Sequence, residues 1–122
     1  MDKVQSYQMG MEAENYALAY LEQQGLGFSA RNVRFKGGEL DLVMQHHDVR
    51  VFVEVRFRKS NRYGNAAESI TSTKQQRLIR AALLYNQRFP TSQPWRIDVV
   101  TLTPTTKTGV LNVQWLESAI TA

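Results

Sequence analysis

Asp41 and Glu54 stand thirteen residues apart, and each interrupts a run of β-forming residues. Asp41 lies in Gly38-Glu39-Leu40-Asp41-Leu42-Val43, and Glu54 in Val51-Phe52-Val53-Glu54-Val55-Arg56. Acids are disfavoured in such runs, so two of them on neighbouring strands call for a reason. Two carboxylates flanked by Arg56, Arg58 and Lys59 suit a magnesium ion acting on a phosphodiester. Magnesium prefers oxygen donors and keeps several waters, so one or two carboxylates suffice to hold it. A backbone carbonyl near Val55 is a further candidate ligand. Glu39 and Glu14 are candidates to act through water or at a second ion.

The elements that carry these acids read as a β-hairpin. Lys36-Gly37-Gly38 is a turn signal, and a polar patch at His46-His47-Asp48 separates Glu39–Gln45 from Val49–Arg58. A turn centred between His47 and Asp48 pairs residues whose numbers sum to 95. That register faces Leu40 with Val55, Leu42 with Val53 and Met44 with Val51, and sets Asp41 opposite Glu54. Alternation puts Leu40, Leu42 and Met44 on one buried face with Val51, Val53, Val55 and Phe57. The opposite face then carries Glu39, Asp41, Val43, Phe52, Glu54, Arg56 and Arg58. Directly opposed Cβ atoms lie roughly 4.5–5.5 Å apart, where two carboxylates repel unless a cation or proton sits between them. A slip of two residues would pair Asp41 with Arg56 instead and leave an ordinary ion pair.

Around the hairpin, Met9–Gln24 reads as a helix with an apolar stripe of Ala13, Tyr16, Ala17, Tyr20 and Leu21, stopped at Gly25. Glu14 lies beside that stripe, either as a surface acid or as a third acid leaning into the site. A strand is expected over Phe28–Phe35 with a bend near Asn32. The polar stretch Lys59–Thr73 reads as a loop in which Lys59, Arg62 and Tyr63 could meet a sugar-phosphate backbone. A second helix runs from Ser72 or Thr73 to Arg88, with Lys74 and Arg77 near its start, where the helix dipole also favours a phosphate. Strands at Trp95–Leu102 and Val110–Leu116 complete the order α-β-β-β-α-β-β, a mixed α/β sheet flanked by helices.

Composition limits the alternatives. The chain has 122 residues, enough for one domain spanning 1–122 with a real core, and 43% hydrophobic with 21% charged residues fits a globular protein. It has no cysteine, which excludes disulfides, thiolate catalysis and zinc-thiolate sites. No apolar run reaches the roughly 18 residues of a membrane span. With no apolar signal core at the start, a cytoplasmic location is the default expectation. The net charge of +4 is unevenly spread: Arg31–Arg88 holds twelve Lys/Arg against five Asp/Glu, and the rest holds three against six. A basic middle that also contains the paired acids favours a polyanionic partner.

The pattern also resembles a known family. Glu14-Asn15-Tyr16-Ala17, Tyr20-Leu21, Gly25, Asn32, the two acid-bearing strands, Arg58, Gly64, Lys74 and Arg96-Ile97-Asp98-Val99-Val100 carry the resemblance, from about Met9 to Leu102. It is similar to small bacterial proteins predicted to be endonucleases and distantly related to archaeal Holliday junction resolvases. The resemblance implies the restriction-endonuclease-like fold of the PD-(D/E)XK superfamily. It also implies magnesium (or manganese) as cofactor, nucleic acid (DNA, branched forms included) as partner, and a homodimer. On it, Asp41 and Glu54 match the metal-binding acids and Glu14 the first-helix acid. Arg56 stands where the superfamily has a lysine that assists the attacking water. Ala13 departs where the family often has glycine.

The Arg56 departure keeps other readings open. A guanidinium stays protonated, so it cannot be a base, although it can stabilise charge developing on phosphorus. Lys59 or Lys74 could instead approach from the side. A nucleic-acid-binding module without catalysis, and a protein-interaction domain whose acids pair with Arg56 and Arg58, are the alternatives. Elsewhere, His46-His47 reads as a solvated turn whose rings point apart, and Asp98 as a local partner of Arg96. Trp95 and Trp115 read as core or edge aromatics.

Overall fold

A computed structural model describes residues 3–59 and 70–121, with the side chains of residues 3–9 outside that description. The expectations for Arg62, Tyr63 and Gly64 fall outside the described residues. The order is α1 (Lys3–Gln23), β1 (Gly27–Phe35), β2 (Gly38–His46), β3 (Val49–Phe57), α2 (Ser72–Arg88), β4 (Trp95–Pro104) and β5 (Leu111–Ile120). This is the mixed α/β order read from the sequence. Helix α1 starts six residues earlier than the expected Met9, and β5 runs four residues further than expected. No helix among the described residues is long and apolar enough to cross a membrane.

The strands form one sheet in chain order, antiparallel except for the parallel β3–β4 pair, which α2 connects. Helix α1 ends where glycine permits it: Gly25 has φ +96°, and Leu26 N–H reaches back to Leu21 carbonyl at 3.0 Å. Thr71 caps α2 by accepting the Lys74 N–H at 3.1 Å. At the other end Arg50 donates to the Phe89 carbonyl at 2.6 Å and covers the Tyr85 ring.

Both faces of the sheet are buried, which corrects the expectation of a single apolar face. Leu42, Met44, Val51 and Val53 pack under α1 against Ala13, Ala17 and Leu21. Val43 and Phe52, expected among the polar residues, lie fully buried under α2 with Leu78, Ala82, Ile97 and Val99. A sheet in the middle of three layers buries both sides of its central strands, so simple alternation does not mark them. Leu40 joins the α2 side together with Val43, away from Leu42, so β2 changes face around Asp41.

The β1–β2 turn is locked onto α2. A Cβ on Gly38 would sit 2.5 Å from the Arg77 carbonyl oxygen, so only glycine allows this approach. The contact fixes where the first residues of β2 meet the first turns of α2, and therefore how Glu39 and Asp41 stand relative to Lys74.

Candidate metal centre

The β2–β3 ladder runs from His46↔Val49 to Leu42↔Val53 and ends there. Each pair sums to 95, so the expected register holds over these five pairs and the two-residue slip does not occur, but the expected Leu40–Val55 and Asp41–Glu54 pairs are not part of the ladder. Beyond Leu42 the strands part: β2 continues beside β1 to Gly38, and β3 continues beside β4 to Phe57. Asp41 is the first residue past this fork. Its Oδ2 accepts the Val55 N–H at 2.9 Å, taking the place of the strand carbonyl that the fork has removed. The Val55 amide thus ties β3 to the Asp41 carboxylate.

Glu54 projects from β3 on the α2 side and is 3% exposed. Its carboxyl and that of Asp41 lie within hydrogen-bonding range of one another. Burial, the Asp41 charge and that hydrogen bond together push Glu54 up to about 8, against the opposing pull of Lys74 and Arg56. Asp41 is also raised, chiefly by burial, although the Val55 amide pulls it down. The Lys74 ammonium is 3.5 Å from Glu54 Oε1. Glu54 Oε2 is buried and has no hydrogen-bond partner among the described residues. The pair therefore favours sharing a proton near neutrality, and a dication of small radius can take that proton's place.

Glu14 comes from α1 to the same groove of about 430 Å³ that Asn32, Glu39 and Asp41 line. Burial and the Asp41 charge raise its pKa, while Arg31 holds it at 3.3 Å. Glu39 is more open and faces Arg34 at 3.6 Å. Among the described residues no three His, Asp or Glu side chains form a group that could hold a metal ion by themselves. A second groove, about 370 Å³, adjoins the first across Arg34 and Glu39 and is lined by Lys74 and Arg77. Arg56 acts on Glu54 through its charge. Arg58 is half-buried and Lys59 exposed just past β3.

The sequence did not single out Arg31, and it marked Asn32 without linking it to Glu14, which both hold. Asn32 has φ +53°, a conformation asparagine tolerates, and this was legible only as a bend. The two histidines differ from expectation as well. His47 has φ +54°, which brings its ring within 4.6 Å of His46 instead of apart. His46 Nδ1 sits 2.8 Å from the Arg96 guanidinium, which can only donate, so that nitrogen is the acceptor.

Comparison with known proteins places these residues in a lineage. The signature of the uncharacterised protein family UPF0102 matches residues 13–102. The chain belongs to this family. Among its UPF0102 relatives, one from Janthinobacterium sp. (strain Marseille) is 47% identical over 93% of this chain and 87% of its own length. A Klebsiella pneumoniae member is 48% identical over 93% of this chain and 87% of its own. A Pseudomonas putida member is 49% identical over 90% of each. The UPF0102 match spans α1 to β4 and so contains every acid of the fork, together with Lys74.

Proposed function

We propose that this protein is a metal-dependent endonuclease that hydrolyses nucleic-acid phosphodiesters, with DNA, branched DNA included, as its substrate class. The observation that carries the reading is the fork: the buried Glu54 carboxyl meets the half-buried Asp41 carboxyl, and Glu54 keeps an oxygen without a hydrogen-bond partner among the described residues. The resemblance to the PD-(D/E)XK superfamily supports the same reading. The residues fit magnesium, with Asp41 and Glu54 as its ligands and Glu14 and Glu39 beside them. A bound magnesium ion supplies positive charge against the phosphate and a water of lowered pKa.

The remaining chemistry belongs to the chain. Lys74 brings an ammonium from α2 to the side of Glu54, which answers the absence of lysine at position 56. There it orients a water or steadies a phosphate oxygen. Arg56 contributes charge that opposes the negative build-up at phosphorus. Arg34, Lys74 and Arg77 give the neighbouring groove the sign that a phosphate backbone needs.

The test is cleavage of branched and single-stranded DNA with magnesium or manganese by protein free of contaminating nuclease. Cleavage is expected from wild type and not from Asp41→Ala or Glu54→Ala. No cleavage by wild type, or equal cleavage by both variants, ends the proposal. Arg56 favours a second reading, a nucleic-acid-binding module without catalysis. That module would bind DNA in a salt-sensitive way, without divalent ions and after Asp41→Ala.

A further inference from the structure

The two edges of the sheet are finished differently. β1 carries Arg31 and Arg34, an irregularity between Phe28 and Ala30, and Asn32 in the left-handed region. Charges and irregular backbone are how sheets discourage edge-to-edge pairing. Over Leu111–Leu116 β5 has neither. That segment, Leu-Asn-Val-Gln-Trp-Leu, contains no charge and no proline, and it pairs with β4 without interruption from Pro104↔Leu111 to Val99↔Leu116. Its irregularity comes only afterwards, around Ser118 at φ +51°. Among the described residues β5 ladders with β4 alone.

The direction of the free edge can be read from one contact. The Tyr16 hydroxyl lies 3.4 Å from both the nitrogen and the oxygen of Leu111. Those main-chain groups therefore face away from β4, and by the two-residue repeat so do those of Val113 and Trp115. The side chains of Leu111, Val113 and Trp115 join Tyr16 and Tyr20 of α1 in a half-buried apolar strip. A groove of about 480 Å³ lies between α1 and this strand. Asn112 and Gln114 are exposed.

We propose that β5 is the contact surface for a second copy of this chain, the two β5 strands pairing antiparallel about a two-fold axis at Val113. The outward-facing residues 111, 113 and 115 are symmetric about that position. A two-fold there sets Val113 opposite Val113, Leu111 opposite Trp115 and Asn112 opposite Gln114, with donors meeting acceptors. Copies of a chain with net charge +4 repel, and this uncharged segment is where the repulsion is least. Pairing through β1 would bring arginines towards arginines. The two Tyr16 contacts are long for hydrogen bonds and yield to the partner strand. An isologous pair of this kind closes at two and buries both edges. The inference does not depend on the nuclease reading.

Sedimentation and light scattering of the full chain are expected to show a dimer. The chain has no cysteine, so a single introduced thiol is a clean reporter. Val113→Cys is expected to cross-link on mild oxidation, because the proposed pairing brings its two copies within disulfide range, whereas Ser29→Cys on the β1 edge is not. Asn112→Lys/Gln114→Lys sets lysine opposite lysine twice and is expected to weaken the dimer about tenfold or more. Asn112→Lys/Gln114→Glu restores opposite charges and should restore pairing. Both positions are exposed, and thermal unfolding of each double variant checks that the monomer is intact. A monomer at every concentration, a dimer indifferent to the two lysines, or no Val113→Cys cross-link overturns the proposal. So does a monomer whose β5 instead takes up an extended peptide of another protein.

Discussion

Glu54 and Asp98 are both buried acids on adjacent parallel strands, and the sheet treats them in opposite ways. Asp98 is fully buried and receives Arg96 Nε at 2.9 and 3.2 Å, Trp115 Nε1 at 2.9 Å and the Ser118 amide at 2.9 Å. Both its oxygens are in use. Glu54 is almost as buried, yet its nearest cation stands at 3.5 Å, its neighbour is another acid, and one oxygen has no hydrogen-bond partner among the described residues. Burying a charge is costly unless it is paired and hydrogen-bonded. The Asp98 end of the sheet has met that condition internally, so its acid is part of the scaffold. The fork has not, and an acid left short of donors in the interior is where an outside cation gains most.

The sharpest way to break this contrast is to remove the satisfied acid. Asp98→Ala strands Arg96 and the Trp115 N–H, and is expected to cost about 3–5 kcal/mol of stability in denaturant unfolding. A loss below about 1 kcal/mol would mean that Asp98 is not the internal anchor described here. Lys74→Met addresses the other acid. Its expected effect is on turnover, about 100-fold down, with magnesium affinity unchanged or tighter because a competing cation has gone. Weaker metal binding at unchanged turnover would make Lys74 a structural partner only.

The paired acids also predict a pH dependence whose sign is unusual for carboxylates. Glu54 is raised in the folded state, so the folded chain keeps a proton that the unfolded chain releases. Metal-free stability should therefore be greatest at low pH and fall as pH rises from the unfolded value of 4.5 to about 8. Glu54→Gln should flatten this slope and raise stability at the alkaline end by on the order of 2 kcal/mol. Saturating magnesium should flatten it as well, and magnesium affinity should climb over the same interval. Thermal unfolding from pH 5 to 9 with and without metal reads all of this. A metal-free stability that rises with pH across this window contradicts the shared-proton account.

Much of the fork was legible because its causes are local. The register follows from the turn at His47 and Asp48, and it carries β2 and β3 side by side as far as Leu42 and Val53, the residues next to Asp41 and Glu54. The bounds of α2, expected from Ser72 or Thr73 to Arg88, were legible for the same reason. What the sequence did not disclose depends on packing between distant segments. The fork arises because β1 and β4 compete for the outer ends of β2 and β3. Lys74 reaches Glu54 because Gly38 lets the hairpin press on α2. The burial of Val43 and Phe52 requires knowing that a helix covers each face. No periodicity within one strand encodes these arrangements.

The smallest predicted effect tests whether acidity near the fork is enough. Glu39 lies two residues from Asp41 and lines both grooves, so by position alone it ranks with the other acids. Its side chain is 42% exposed, and its partner Arg34 is 78% exposed. Water already solvates such a pair, and its loss changes little. Glu39→Gln should shift stability by less than about 0.5 kcal/mol and leave the fall of stability with pH intact. It should also leave magnesium affinity within a few-fold of wild type. A Glu39→Gln variant that loses magnesium as Glu54→Gln does would show that exposure does not separate the two acids, and the donor set would have to include the open groove.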